Sequence, residues 1–497
     1  MSSRFARVSV LLSSVAIVAA VAGGASAKEV VPTDDEILQM ATHQVGQRWY
    51  GVYVMGQKAG WQTDVWTQKN GAICDAVEFK VTLSYLGKET GISVVETLCF
   101  SDKPPFSLVS YDSSRDEAGK RTTITGRPRD GKLVYTYDTQ GKTREMVVPP
   151  DADKLLYALP WAGLARMSPG DHVSSATFDE MTGETHWQKA TLKSREKKAV
   201  LGVQGDLAVI LLEDETGMRL DATVTPAGVV LEGALGPSLR IVMEDKDTAM
   251  RLDQGVPDLY SSSVVTATGL ISYAKVTRVE SMKVRLKAGS AIDMPAHPRQ
   301  AIAEQDSNSA VVVISACPKK TAEKEADAKY TACNADVPCD AKEHVDLARK
   351  LASKQEDPLM KARALSSWVH DSFKYELGAG GGTADQILKE KRGDCTEFSK
   401  ALLLLLRAIG IPSRTLSGIA LASDTPPTFA YHAWVEAWFP DRGWVALDPT
   451  WGVFPVDATH IVFDTQDGLH MAAHLGDLSI EILDVDYVDL KRGIRCD

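Results

Sequence analysis

The sequence predicts an α+β protein, with a large antiparallel β domain or domains in its first half and an α+β domain at its C-terminal end. Three observations lead there. Apolar residues alternate with period two from about residue 45 to 255, the period turns helical near Asp340, and strand alternation returns at Tyr431. At 497 residues the chain exceeds what one core usually organises, so two or three domains are expected.

The chain opens with Arg4 and Arg7, an apolar run from Val8 to Val21, and Ala-Ser-Ala at 25–27, the three-part layout of a secretory signal peptide. Residues 1–27 are read as that signal, cleaved after Ala27, which makes the product exported, periplasmic or secreted. The next residue is Lys28 rather than cysteine, so no lipoprotein anchor is expected there. No later stretch reaches the ~18 apolar residues of a membrane span, so no stable membrane anchor is expected. The formal charge is −11, and the loss of the two signal arginines makes it −13. An acidic chain of this kind argues against nucleic acid as a partner.

Residues 28–256 read as an antiparallel β-rich domain. Val77, Phe79, Val81, Leu83 and Tyr85 alternate with Glu78, Lys80, Thr82 and Ser84, which describes a strand with one buried face. Leu133–Tyr137 and Val229–Glu232 repeat the pattern, and Gln140-Gly141 and Pro226-Ala-Gly228 punctuate it. A second β-rich segment, 257–318, contains Met282, Val284 and Leu286 on one face. The Lys/Glu/Ala-rich stretch 319–339 reads as a connector, and 340–497 as the C-terminal domain with its tail.

Seven cysteines in an exported chain suggest three disulfides and one free thiol. With Cys395 free, Cys74 and Cys99 are the natural first pair. Cys317, Cys333, Cys339 and Cys496 leave three connectivities open, the short Cys333 to Cys339 loop being one attractive choice. There is no Cys-x-x-Cys and no acidic EF-hand loop.

In the C-terminal domain, Asp340 and Glu343 suggest a capping box ahead of an apolar stripe through Leu347, Ala348, Leu351 and Ala352. Asp357-Pro358 starts a second helix carrying Ala362, Leu365, Val369 and Phe373 on one face. The Gly378–Gly382 cluster lacks the Gly-Lys-Ser/Thr of a phosphate loop and reads as a connection. Asp394 and Glu397 then form a second capping box that makes Cys395 the first residue of a helix ending near Arg407, Gly410 and Pro412. The positive end of a helix favours a thiolate by up to ~1 kcal/mol at an exposed site, and two nearby carboxylates oppose it. A base is therefore needed. An isolated cysteine is more often a small buried residue, so Cys395 becomes a candidate nucleophile only in the company of that base.

Tyr431–Phe439 reads as a strand, Pro440–Gly443 as a turn and Trp444–Trp451 as the returning strand. His432 and Asp448 face the same side whenever the loop between them has an odd number of residues, opposite for seven and diagonal for five. Cys395, His432 and Asp448 then supply a nucleophile, a base and a group that orients the base.

Arg392-Gly-Asp-Cys-Thr-Glu397, Leu404–Arg414, His432-Ala-Trp-Val-Glu436 and Gly443–Gly452 resemble the transglutaminase-like superfamily over roughly residues 340 to 455. The resemblance implies a papain-like fold with Cys395, His432 and Asp448 as catalytic residues. It also implies thioester chemistry on a peptide or protein amide, namely hydrolysis, deamidation or cross-linking, with no metal or other cofactor. The oxyanion needs a second donor beside the Cys395 N–H, and Gln386 is the candidate. Trp434, Trp444 and Trp451 are candidates to shield the imidazole or line a substrate groove, with core packing as the alternative for at least two. Trp49–Trp61 is similar to the opening strands of other exported proteins that pair a β-rich domain with such a domain. The rival readings are a non-enzymatic envelope protein whose β-rich half binds a partner, and a redox role for Cys395, for which no nearby resolving cysteine is evident.

Overall fold

Six tight turns build the first half of the computed structural model. Met55-Gly56, Asn70-Gly71, Leu86-Gly87, Ala118-Gly119, Asp130-Gly131 and Gln140-Gly141 each place two successive residues at positive φ. Each closes a two-residue hairpin, the mirror-image turn whose twist matches that of the flanking strands. Repeated hairpins give a fourteen-stranded antiparallel sheet from two runs, joined where Gly46–Val54 pairs with Leu239–Glu244. The expected alternation holds from Val77 to Leu83, with Val77, Phe79, Val81 and Leu83 buried and Glu78 and Lys80 exposed, and breaks at the strand end, where Ser84 is buried and Tyr85 half-buried. Cys74 lies directly opposite Cys99, and the two form the expected disulfide.

The structure describes residues 27–489 and Ile494, except 150–153, 201–202, 215–217, 253–254, 273–276, 293, 320–324, 379, 466–470 and 472–473. Residues 1–26 of the expected signal, and Cys496, lie outside the described residues. The chain divides into two units, one ending at Pro257 and the other spanning Asp258–Asp497. No helix among the described residues is long and apolar enough to cross a membrane.

In the second unit, Gln300–Gln305, Ser309–Ser315, Thr277–Ala288 and Leu478–Asp489 form a four-stranded sheet in that order. The last of these strands thus completes a sheet begun far earlier in the chain. A second sheet runs Val264–Thr266, Pro427–Phe439, Ser413–Asp424, His460–Asp464, with Gly443–Leu447 added beside Pro427–Phe439. The segment read as a separate β-rich stretch therefore falls in the same unit as the C-terminal domain. Helices Lys342–Ala352, Pro358–Ser372 and Ala384–Glu390 surround helix Cys395–Ala408, whose Phe398, Leu402 and Leu405 are buried in a shared core with Val435 and Leu447. Helix Lys342–Ala352 starts later than the Asp340 capping box implied, with Ala341 at its cap and no side-chain cap bond. Asp357 caps the next helix as expected, accepting from the Leu359 N–H at 2.9 Å. Cys333 and Cys339 are bonded to each other, and Cys317 is also in a disulfide.

Candidate active site

Helix Cys395–Ala408 is seated by the capping box read in the sequence. Asp394 accepts from the Thr396 N–H at 3.0 Å and Glu397 from the Asp394 N–H at 2.9 Å. Glu397 also accepts from the Gly381 N–H at 3.0 Å, which ties the glycine-rich connection to the start of the helix. Burial, then the Asp394 charge, pushes the Glu397 carboxyl up to about 7, so near neutral pH its charge weighs less against a thiolate than the sequence implied. Among the described residues Cys395 is the free cysteine, and it is partly exposed. Its N–H belongs to the first turn, where donors have no partner within the helix.

Strand Pro427–Phe439 begins earlier than expected and holds His432 over this helix end. Phe439 pairs with Gly443 across a three-residue turn, so the odd parity holds and Asp448 sits diagonal to His432. His432 Nε2 donates to Asp448 Oδ2 at 2.9 Å. Cys395 also bears on this ring, favouring its charged form, and with Nε2 on Asp448 the nitrogen left open is Nδ1. Burial works against a charged ring, but the Asp448 carboxylate and Cys395 outweigh it and raise His432 to about 10.

Asp448 is fully buried. Its Oδ1 accepts from the Thr450 and Trp451 N–H groups at 2.8 and 3.2 Å. Its Oδ2 is shared with a histidine that no sequence block marked, His460, whose Nε2 lies at 3.4 Å. Burial alone would raise this carboxyl; the two histidines hold it well below the ordinary range. Burial lowers His460, leaving it a neutral donor. His460 arrives on the strand His460–Asp464, which pairs with the far side of Ser413–Asp424. Gly418 lies between them because a Cβ there would meet the Ile461 carbonyl at 1.9 Å and the Trp434 ring at 3.0 Å.

The tryptophans divide. Trp451 stacks on the His432 ring at 4.2 Å and 11°, and at 36% exposure it separates that ring from solvent. Trp434 lies 6.1 Å from the same ring, fully buried. Trp444 is buried elsewhere, against Tyr330 and the Arg414 guanidinium. Gln386 accepts the Thr383 N–H at 2.8 Å, capping its own short helix, which packs on the cysteine helix. The side chain is buried and its Nε2 has no partner among the described residues. Glu436 of the His432 block is structural: His297 Nε2 lies 2.9 Å from its Oε1, and Arg414 donates twice to Oε2 at 3.0 and 3.1 Å.

His432, Asp448 and His460 present ligand atoms within 4.8 Å of one another and could hold a metal ion. The same nitrogens, however, are aimed at the Asp448 oxygen as N–H donors, so a metal would have to displace the hydrogen bonds that orient His432.

Residues 345–449 match the model of the Transglutaminase-like superfamily. The chain carries a transglutaminase-like domain. A protein-glutamine gamma-glutamyltransferase from Pseudomonas aeruginosa is 35% identical over 105 residues, 19% of this chain and 16% of that protein. The uncharacterized protein YebA of Bacillus subtilis is 32% identical over 140 residues, 24% and 19% of the two chains. The chain thus spans about a sixth to a fifth of the length of these curated relatives. Among solved structures, a beta-barrel-like protein of a domain of unknown function from Brucella abortus is similar at 8% identity and a TM-score of 0.29, over 40% of this chain and 98% of that one.

Proposed function

We propose that the transglutaminase-like domain transfers the acyl group of a peptide or protein amide through a thioester on Cys395. The supporting observation is the buried hydrogen bond from His432 to Asp448, which leaves the ring's other nitrogen for the neighbouring Cys395. His432 takes the thiol proton, the sulfur attacks the carbonyl carbon, and the imidazolium returns the proton to the leaving amine. The positive ring favours a thiolate beside it. The tetrahedral oxyanion would lie between the Cys395 N–H and Gln386 Nε2. Water then resolves the thioester; an amine in its place would give cross-linking. Trp451 forms the wall against which the acyl donor slides. Asp448 holds the ring in the tautomer that presents Nδ1.

The N-terminal layout of a cleaved signal, together with the disulfides, supports action in an oxidising compartment outside the inner membrane. The test is iodoacetamide labelling across pH, read by mass spectrometry, for wild type and His432→Ala, followed by ammonia release and amine incorporation on a protein substrate. Labelling of Cys395 well below the ordinary thiol pKa of ~8.5, weakened by loss of His432, is expected. An inert Cys395 in the folded chain would instead favour a non-enzymatic role in which the β-rich half binds a partner.

A further inference from the structure

The β-rich unit holds a partly open cavity of ≈ 50 Å³, room for about four waters. Its lining mixes polar groups with three buried aromatic rings, Tyr50, Trp66 and Trp161. Their polar atoms are spent. Trp161 Nε1 donates to the Gly228 carbonyl at 3.0 Å, Tyr50 OH to the Val230 carbonyl at 3.3 Å, and the Trp66 indole to Asp64. Gln44 Nε2 is likewise engaged by the Ala227 carbonyl at 3.2 Å.

The acceptors are not spent. Gln62 Oε1, Asp64 Oδ1 and Asp75 Oδ1 have no hydrogen-bond partner among the described residues, and all three residues line this cavity. Gln62 is 4% exposed and Asp75 5%. Leaving a buried acceptor unmade costs about 1–3 kcal/mol, so three on residues around one space, beyond the hydrogen bond that Asp64 and Asp75 share, mark a site short of donors. A hard divalent cation would need six or more oxygens. A primary ammonium brings three N–H donors and an alkyl stem, and aromatic walls favour it further.

We infer that this cavity binds the ammonium end of a small primary alkylamine, held by Gln62, Asp64 and Asp75 between the rings of Trp66 and Trp161. The surrounding charges suit it. Burial raises both carboxyls, and on Asp75 the neighbouring Asp64 and Glu96 add to it; Arg48 opposes on both. Arg48 itself is tied to the Gln44 and His43 carbonyls at 2.6 and 3.2 Å. Tyr50, the remaining titratable group on the wall, is held neutral by burial. An entering ammonium therefore replaces a proton held by the carboxyl pair, and that proton leaves to solvent.

The test is calorimetric titration of the full chain with n-butylammonium, run in two buffers of different ionisation enthalpy, with tetramethylammonium, n-butanol and calcium as controls. Saturable binding of n-butylammonium with proton release is expected, weakened about tenfold or more in Asp75→Asn and in Asp64→Asn. Both substitutions keep side-chain shape, and thermal unfolding checks that each variant folds. Absence of n-butylammonium binding, equal binding in the folded variants, equal binding of n-butanol, or calcium binding in its place would each overturn the assignment. Cys395→Ala should leave the titration unchanged, which separates this site from the proposed acyl transfer.

Discussion

Two buried carboxylate clusters, one in each unit, have been treated in opposite ways. Asp448 receives two backbone N–H groups and two histidines, and its carboxyl is held low. Asp64 and Asp75 face each other with an oxygen apiece unpartnered among the described residues, and their carboxyls are pushed up. Burial acts alike on both clusters; what differs is the supply of donors and positive charge. A fully satisfied carboxylate is a fixed part of a mechanism, whereas an unsatisfied pair retains the capacity to take up a cation.

Substitution should drive the two clusters apart. The largest effect is expected for Cys395→Ala, which should lower amide turnover by at least ~10³-fold while leaving the melting temperature nearly unchanged; a large loss of stability with retained turnover would break the assignment. Asp448→Asn should cost about 10³–10⁴ in rate through the wrong tautomer and about 3–5 kcal/mol of stability through an uncompensated buried charge. The pH trend comes from His432. Raised to about 10, its stabilisation is complete below the unfolded value of ~6.5 and is lost as pH rises through about 10. The stability deficit of Asp448→Asn, read by thermal melts, should therefore be largest near pH 6 and shrink toward pH 10.

Asp75→Asn should do the reverse. It should stabilise the chain by about 1–3 kcal/mol, because it removes a buried carboxyl without matching donors. A carboxyl whose folded pKa is raised destabilises as pH climbs from its unfolded value through its folded one. The advantage of the asparagine should thus grow with pH, opposite in sign and slope to Asp448→Asn, and equal behaviour would erase the contrast. The smallest effect is expected for His460→Gln. With three of four donors left on Asp448, the rate should fall about tenfold, and the alkaline limb of the pH–rate profile should move down as His432 loses support.

What was legible in the sequence was local. The Asp394 and Glu397 capping box, the seat it gives Cys395, the shared parity of His432 and Asp448, and the Asp357-Pro358 helix start are each written within a few residues of the chain. The alternation of Val77 to Leu83 likewise told which face of its strand is buried, and Cys74 with Cys99 was the natural pair, although their direct register is a property of the folded hairpin. The Asp340 capping box failed because its spacing fits but the helix starts later, at Lys342. The packing of Trp444 on Tyr330 and Arg414 was not legible, because aromatic composition does not say which side of a sheet a ring takes. Asp457 to His460 carried a weak signal that could have been taken: a histidine opening a short apolar strand soon after the Asp448 turn.

Turns, helix starts and the family-like blocks were settled by the amino-acid order, because these depend on backbone preference and on spacing along one element. Other features needed the folded chain. His460 reaches Asp448 only because its strand pairs beyond Ser413–Asp424. His297 and Arg414 find Glu436 from 139 and 22 residues away. Asp75 meets Asp64 only because neighbouring strands register Asp75 against Trp66. Such pairings are set by strand order and register between distant segments, where a shift of one residue turns every side chain to the opposite face.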